Sequence, residues 1–242
     1  MSNELYKTYL LIHGAYHGGW CWQFVADILR AQGHRVFTPT LPGHGDRVNM
    51  LSTYPDLNAL IADVIDVIER EKLTDVIIVG HSLGGAVVTG VVDLVPEKIR
   101  HLIYLDAVIL QPGRAVLDAA PSEVVGFYRS LLPEYGGNGA VPVPPMDFFG
   151  VKDETQIKFL LRNLTPQPVR TLFSKQDLTH TIGAGRPVTC INCTAPYFRQ
   201  ADSSRTFAKT QPSWNHVDLA TGHDAMISAP QKLADLLLSI AE

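Results

Sequence analysis

Asp75-Val76-Ile77-Ile78-Val79, then Gly80-His81-Ser82-Leu83-Gly84, then Gly85-Ala86 is the stretch on which the reading of this chain turns. The run of β-branched apolar residues predicts a strand buried on both faces. The small residues after it predict a helix entered through a tight turn. A G-x-S-x-G pattern between strand and helix puts serine at the apex of that turn, where only small neighbours fit. The helix start then aims its free amides and dipole at charge developing beside Ser82. Ser82 is therefore the expected nucleophile. His81 adjoins it, but successive side chains diverge at such a turn, so His81 is expected to point elsewhere.

Outward from this stretch, short apolar runs alternate with helical patterns. Tyr9–Ile12 ends at His13-Gly14, Arg35–Phe37 at Thr38-Pro39, and His101–Leu105 at Asp106; Pro187–Cys193 and Asn215–Leu219 follow. Continuous apolar runs suit the strands of a parallel sheet. Leu57, Leu60, Ile61, Val64, Ile65 and Ile68 form a helical stripe opened by Asp56 as a cap, and Leu233, Leu236, Leu237 and Ile240 form another. This alternation predicts an α/β domain with right-handed crossovers. From Gln111 to Arg186 the rhythm breaks into Pro/Gly-rich turns and short helical pieces around Val124–Leu132 and Glu154–Leu164. A stretch of this length is too long for an ordinary loop, so 111–186 reads as an inserted helical lid on a core formed by 1–110 and 187–242.

A serine hydroxyl needs a base. His223 lies in Thr221-Gly222-His223-Asp224, after the last expected strand and before the final helix. In a parallel sheet such loops gather on the edge where Ser82 sits, which makes His223 the expected base. The glycine-rich loop His13–Trp20 reaches the same edge, and the backbone amides of Ala15 and Leu83 are the expected oxyanion donors. His13 and His17 are four apart, but no helix is expected there and no glutamate accompanies them, so no metal is implied.

The composition bounds the rest. With 242 residues, 46% apolar and 18% charged, the chain can build a large core, and wholesale disorder is excluded. Its net charge of −4 and lack of a basic block argue against nucleic acid. Three cysteines make no disulfide framework. The polar start beginning Met1-Ser2-Asn3-Glu4-Leu5 fits neither a signal peptide nor a membrane span, so a cytoplasmic protein is expected. A homodimer is compatible with all of this.

His13–Trp22, Leu41-Pro42-Gly43-His44-Gly45, Gly80–Gly85, Tyr104–Ala107, Met146–Gly150, Leu164-Thr165-Pro166 and Gly222–Pro230 together resemble the α/β-hydrolase superfamily. The resemblance is to the branch of plant methylesterases, the salicylate-binding esterase, hydroxynitrile lyases and related bacterial esterases. It implies an α/β-hydrolase fold with a mostly parallel six-stranded sheet flanked by helices, the lid entering after the strand that ends at Asp106. It also implies a cofactor-free serine hydrolase acting on a small ester. Hydroxynitrile lyases of this branch carry threonine at the place of Gly14 and lysine at the place of Asp224, so the chain departs from them toward an esterase. Plant members carry their acid in a Cys-Thr-Glu-Asp sequence, where this chain reads Cys193-Thr194-Ala195-Pro196.

Pro196 cannot serve as the triad acid. Asp106 is the expected substitute: a charge ending a buried strand is costly unless paired, and His223 offers the pair. Asp202 stands second and Asp224 third, because a side chain adjacent to His223 reaches its Nδ1 poorly. Cys190 and Cys193 lie three apart on a strand, facing opposite sides, which makes packing the expectation for both. Tyr16, His17, Trp20, Phe127, Phe148 and Phe149 are the expected pocket residues, suited to an apolar or aromatic substrate. Two other activities compete for the same triad, cyanohydrin cleavage and carbon–carbon bond hydrolysis, as does a ligand-binding receptor that keeps the site without turnover.

Overall fold

The computed structural model describes residues 6–240; the polar start Met1–Leu5 lies outside them. Six strands form one wholly parallel sheet: β1 (Thr8–Ile12), β2 (Arg35–Phe37), β3 (Val76–His81), β4 (Ile99–Leu105), β7 (Val188–Cys193) and β8 (Asn215–Leu219). Their order across the sheet is β2-β1-β3-β4-β7-β8. The expected strands are all present. The main difference is that β3 runs on through His81, so that residue belongs to the ladder and pairs with Leu105.

Alternation along each strand feeds two cores. Tyr9, Leu11, Ile77, Val79, Ile103 and Leu105 face α1 (Gln23–Ala31) and α9 (Pro230–Ile240). Leu10, Ile12, Val76, Ile78, Leu102 and Tyr104 face α2 (Leu57–Arg70) and α3 (Gly84–Leu94). α2 buries Leu57, Leu60, Ile61, Val64 and Ile68 of the expected stripe, with Val67 buried and Ile65 only half-buried, and Asp56 caps it by accepting from the Ala59 N–H at 2.9 Å. Cys190 and Cys193 fall into opposite cores, and all three cysteines are free and buried.

Between β4 and β7 the chain makes α4 (Ser122–Ser130), a two-residue pairing of β5 (Ala140–Val141) with β6 (Gln167–Pro168), α5 (Glu154–Asn163) and α6 (Arg170–Phe173). Phe149, Leu160 and Val169 from this stretch are buried in the same cluster as Tyr9 and Leu11. α7 (Asp202–Lys209) follows β7, and α8 (Ala225–Ser228) follows His223. No described helix is long and apolar enough to cross a membrane.

Candidate active site

β1, β3, β4, β7 and β8 all end on one edge of the sheet, and the expected residues collect there. Ser82 sits directly after β3 with φ +51°, a left-handed conformation uncommon for a residue with a side chain. Three backbone hydrogen bonds hold it: its N–H donates to Leu105 O at 3.2 Å, and its carbonyl accepts from Gly85 and Val108 at 3.0 and 2.8 Å. A methyl on Gly84 would lie 2.6 Å from the His13 carbonyl, which explains the small residue at that place.

His223 Nδ1 meets Asp106 Oδ2 at 2.7 Å, with both side chains buried. Asp106 follows β4 with φ +46°, and its own N–H donates to Ile191 O at 2.8 Å. Its second oxygen, Oδ1, accepts from the Cys193 N–H at 3.2 Å and from the Arg205 guanidinium. Burial pushes this carboxyl up, but the hydrogen bond and charge of His223, followed by those of Arg205, outweigh it and hold the acid below its ordinary range. Asp202 does not reach His223; its Oδ1 accepts from Tyr197 Oη at 2.5 Å and from Arg205 at 3.4 Å. The His223 ring lies between Phe198, stacked at 3.6 Å, and His81 at 4.6 Å.

His81 does not point away as expected. Its Nε2 donates to the His223 carbonyl at 3.1 Å, because β3 continues through it and turns its ring under the β8–α8 loop. Burial and the neighbouring His223 lower its pKa to about 3, so it serves as a neutral prop.

The loop after β1 packs directly against the serine: a methyl on Gly14 would lie 2.7 Å from Ser82 Cβ. His13 Nε2 accepts from the Leu41 N–H at 3.0 Å, which makes Nδ1 the protonated nitrogen; Nδ1 donates to Gly14 O at 2.8 Å. That bond fixes the plane of the Gly14–Ala15 peptide, and in a trans peptide the Ala15 N–H points opposite to the tethered carbonyl. Leu83 follows Ser82 at the start of α3.

Asp224 is wholly buried and pairs with His17, Oδ2 to Nε2 at 3.0 Å. His17 Nδ1 faces Ala15 O at 2.8 Å, so both of its ring nitrogens meet acceptors and the ring must be doubly protonated. Burial opposes that charge, but Asp224 overcomes it and raises the pKa of His17. His81, His223 and Asp224 also form a group compact enough in principle for a metal ion. His81 Nε2 is bonded to a carbonyl and Asp224 Oδ2 to His17, while His81 Nδ1 and Asp224 Oδ1 are buried without a hydrogen-bond partner.

Of the expected pocket residues, Tyr16, His17, Phe148 and Phe149 form one edge-to-face aromatic cluster that touches His223 through Phe148 at 6.4 Å. Trp20 packs on His17 and Phe159. Phe127 departs from the expectation: it is 55% exposed on α4 with its ring against Tyr128, since α4 buries no residue fully. Two participants escaped the sequence reading, Phe198 and Arg205. Arg205 was within reach of the argument used for Asp106, because a buried carboxylate calls for a cation as well as an imidazole.

Known proteins resemble the chain over nearly its whole length. A model described as the alpha/beta hydrolase family matches residues 9–236. A carbendazim hydrolyzing esterase of a Nocardioides species is 36% identical over 96% of this chain and 99% of that protein. Methylesterase 9 of Arabidopsis thaliana is 26% identical over 98% of each. An extracellular alpha/beta-hydrolase from a Paenibacillus species, described as sharing structural and functional homology with tobacco salicylic acid binding protein 2, superposes with a TM-score of 0.79. It is 26% identical and covers 96% of this chain and 98% of its own.

Proposed function

The chain belongs to the alpha/beta hydrolase family, and from that premise we propose that it is a serine esterase cleaving a small, apolar or aromatic ester or related acyl compound. Ser82 Oγ attacks the substrate carbonyl and His223 takes its proton. Asp106 keeps the imidazole in the tautomer with Nδ1–H and steadies the imidazolium. The Ala15 and Leu83 amides receive the oxyanion. His223 returns the proton to the departing alcohol. A water, deprotonated by the same histidine, then releases the acid and frees Ser82.

The observation that carries this reading is the buried 2.7 Å contact between His223 Nδ1 and Asp106 Oδ2, on the edge where Ser82 holds its left-handed turn. The relatives named as esterases support the ester as substrate. The 2.7 Å clearance at Gly14 leaves no room for the threonine of the lyases without displacing Ser82, which favours ester over cyanohydrin chemistry. As part of the same proposal, 111–186 acts as a lid over a site in the core formed by 1–110 and 187–242. Three free cysteines suit a reducing, cytoplasmic setting.

A panel of chromogenic esters varied in acyl chain and alcohol tests this reading. Hydrolysis by the wild type should fall at least about 10³-fold in Ser82→Ala. Asp106→Asn should be strongly impaired while folded, and Asp202→Asn much less so. Absence of any Ser82-dependent hydrolysis refutes the esterase reading; a dead Asp202→Asn beside an active Asp106→Asn refutes the acid.

A further inference from the structure

We propose that Arg205 is a positioning residue for the triad acid, holding the Asp106 carboxylate so that one oxygen stays aligned on His223. The proposal rests on the reading of Ser82, His223 and Asp106 as the triad. Arg205 lies on α7 with its side chain 9% exposed, an unusual depth for a cation outside a substrate site. One guanidinium nitrogen, Nη2, donates to Asp106 Oδ1 and, at 3.0 Å, to the Cys193 carbonyl. The other, Nη1, donates to the Phe198 carbonyl at 3.0 Å and to Asp202 at 3.4 Å. The Tyr197 ring covers the guanidinium at 4.1 Å, and its hydroxyl donates to Asp202. Arg205 is thus clamped from outside and presents a fixed fork to the acid.

The division of the carboxylate gives this clamp its meaning. Oδ2 is committed to His223 and Oδ1 to Arg205 and the Cys193 amide. Without the guanidinium, a buried carboxylate would keep one amide and one imidazole, and it would be free to rotate or to take up a proton. The cation also subtracts from the negative potential that Asp106 presents to the imidazole. The enzyme therefore remains active at lower pH than an unbraced acid would allow. These contacts also give a use to the loop after β7. Where the plant relatives carry an acid, this chain has Pro196, and the loop contributes Tyr197 against Arg205 and Phe198 against His223.

Other titratable groups surround the pair: His81 from β3, Cys193 from β7, Asp224 from the β8–α8 turn with its partner His17 from the loop after β1, and Tyr197 and Asp202 around Arg205. All of them are unchanged in Arg205→Lys and Arg205→Met, so a difference between those two variants reports on the residue at position 205.

The test is kcat and KM for p-nitrophenyl acetate from pH 5 to 9 in wild type, Arg205→Lys, Arg205→Met and Tyr197→Leu, with Ser82→Ala and Asp106→Asn alongside. Arg205→Met should lower kcat about 10- to 100-fold with KM within about twofold, and move the acid limb of kcat/KM up by about one pH unit. Arg205→Lys should restore the acid limb and part of kcat. Tyr197→Leu, at a residue 54% exposed and so safe for folding, should shift the acid limb the same way by a smaller step. A folded Arg205→Met with the wild-type profile overturns the proposal, as does an equal loss at every pH that lysine does not relieve. Should Arg205→Met not fold, an unmoved acid limb in Tyr197→Leu overturns it. Active Ser82→Ala or Asp106→Asn would instead mean that the triad reading has failed.

Discussion

Replacing Asp224 by alanine is the perturbation whose size the structure states most directly. The Asp224 side chain is 0% exposed and that of His17 is 2% exposed, with 3.0 Å between them. Removing one partner of a buried pair leaves the other charged and unpaired, which costs about 3–5 kcal/mol. In a chain of this size each kcal/mol lowers the melting temperature by about 2–4 °C, so Asp224→Ala should melt about 6–20 °C below wild type. Asp224→Asn should lose only about 1–2 kcal/mol. Its amide N–H can donate to a neutral His17 Nε2, leaving His17 Nδ1–H on the Ala15 carbonyl.

The pH dependence follows from the two shifts. His17 has a raised pKa, so its contribution is complete below the ordinary 6.5 and is lost as pH rises through the folded value. Asp224 has a lowered pKa, because His17 outweighs its burial; its contribution is complete above the ordinary 3.8 and is lost as pH falls through the folded value. The gap between wild type and Asp224→Ala is therefore widest between 3.8 and 6.5 and narrows toward alkaline pH. Thermal melts by circular dichroism from pH 5 to 9 measure it. Melting within about 2 °C of wild type, or a gap that stays constant as pH rises, refutes the buried ion pair.

Gly14→Ala places a methyl 2.7 Å from Ser82 Cβ and 3.0 Å from His81 Nδ1, so kcat should fall about 100-fold with a stability loss of about 1–3 kcal/mol; full kcat in that variant contradicts the proximity. Asp93 accepts from the Thr179 N–H and Oγ1 and from the His180 N–H at 2.7–3.1 Å, and these bonds overcome its burial and lower its pKa. Asp93→Ala should cost about 1–3 kcal/mol near pH 7 and expose residues 177–186 to limited proteolysis. In wild type the same stabilisation fades as pH falls through the depressed value of Asp93; an unchanged cleavage rate in Asp93→Ala speaks against the anchor. Gln167 joins the Tyr16 N–H at 3.3 Å to His44 Nε2 at 2.7 Å, so Gln167→Leu should destabilise by about 1–3 kcal/mol, read as the midpoint of urea unfolding.

Local patterns carried much of the fold. Apolar runs marked the strands because a parallel sheet buries both faces, and the Asp56 cap marked the start of α2 because it satisfies an amide three residues on. The meeting of Asp106 and His223, 117 residues apart, was legible because two strand ends on one edge are neighbours whatever lies between them. The pairs His17–Asp224 and Arg205–Asp106 span 207 and 99 residues, and they depend on which way buried side chains turn. No periodicity encodes that. The same holds for Phe127, whose outward position follows from how α4 lies, and for His81, which one extra ladder residue directs under His223.

The Phe149 carbonyl accepts from the Asp224 N–H at 3.1 Å, and a methyl on Gly222 would lie 2.2 Å from the Gly150 carbonyl. Two parts of the inserted stretch are therefore tied to the core to different degrees. α4 has no fully buried residue and meets the core through the half-buried Val125 and Tyr128, so its amides should exchange quickly with deuterium. The Phe149–Gly150 segment, by contrast, is bonded to the residue after His223 and packed on the one before it. Any motion that displaces Phe149 or Gly150 therefore also disturbs the turn that carries His223, and amide exchange should be slower there than in α4.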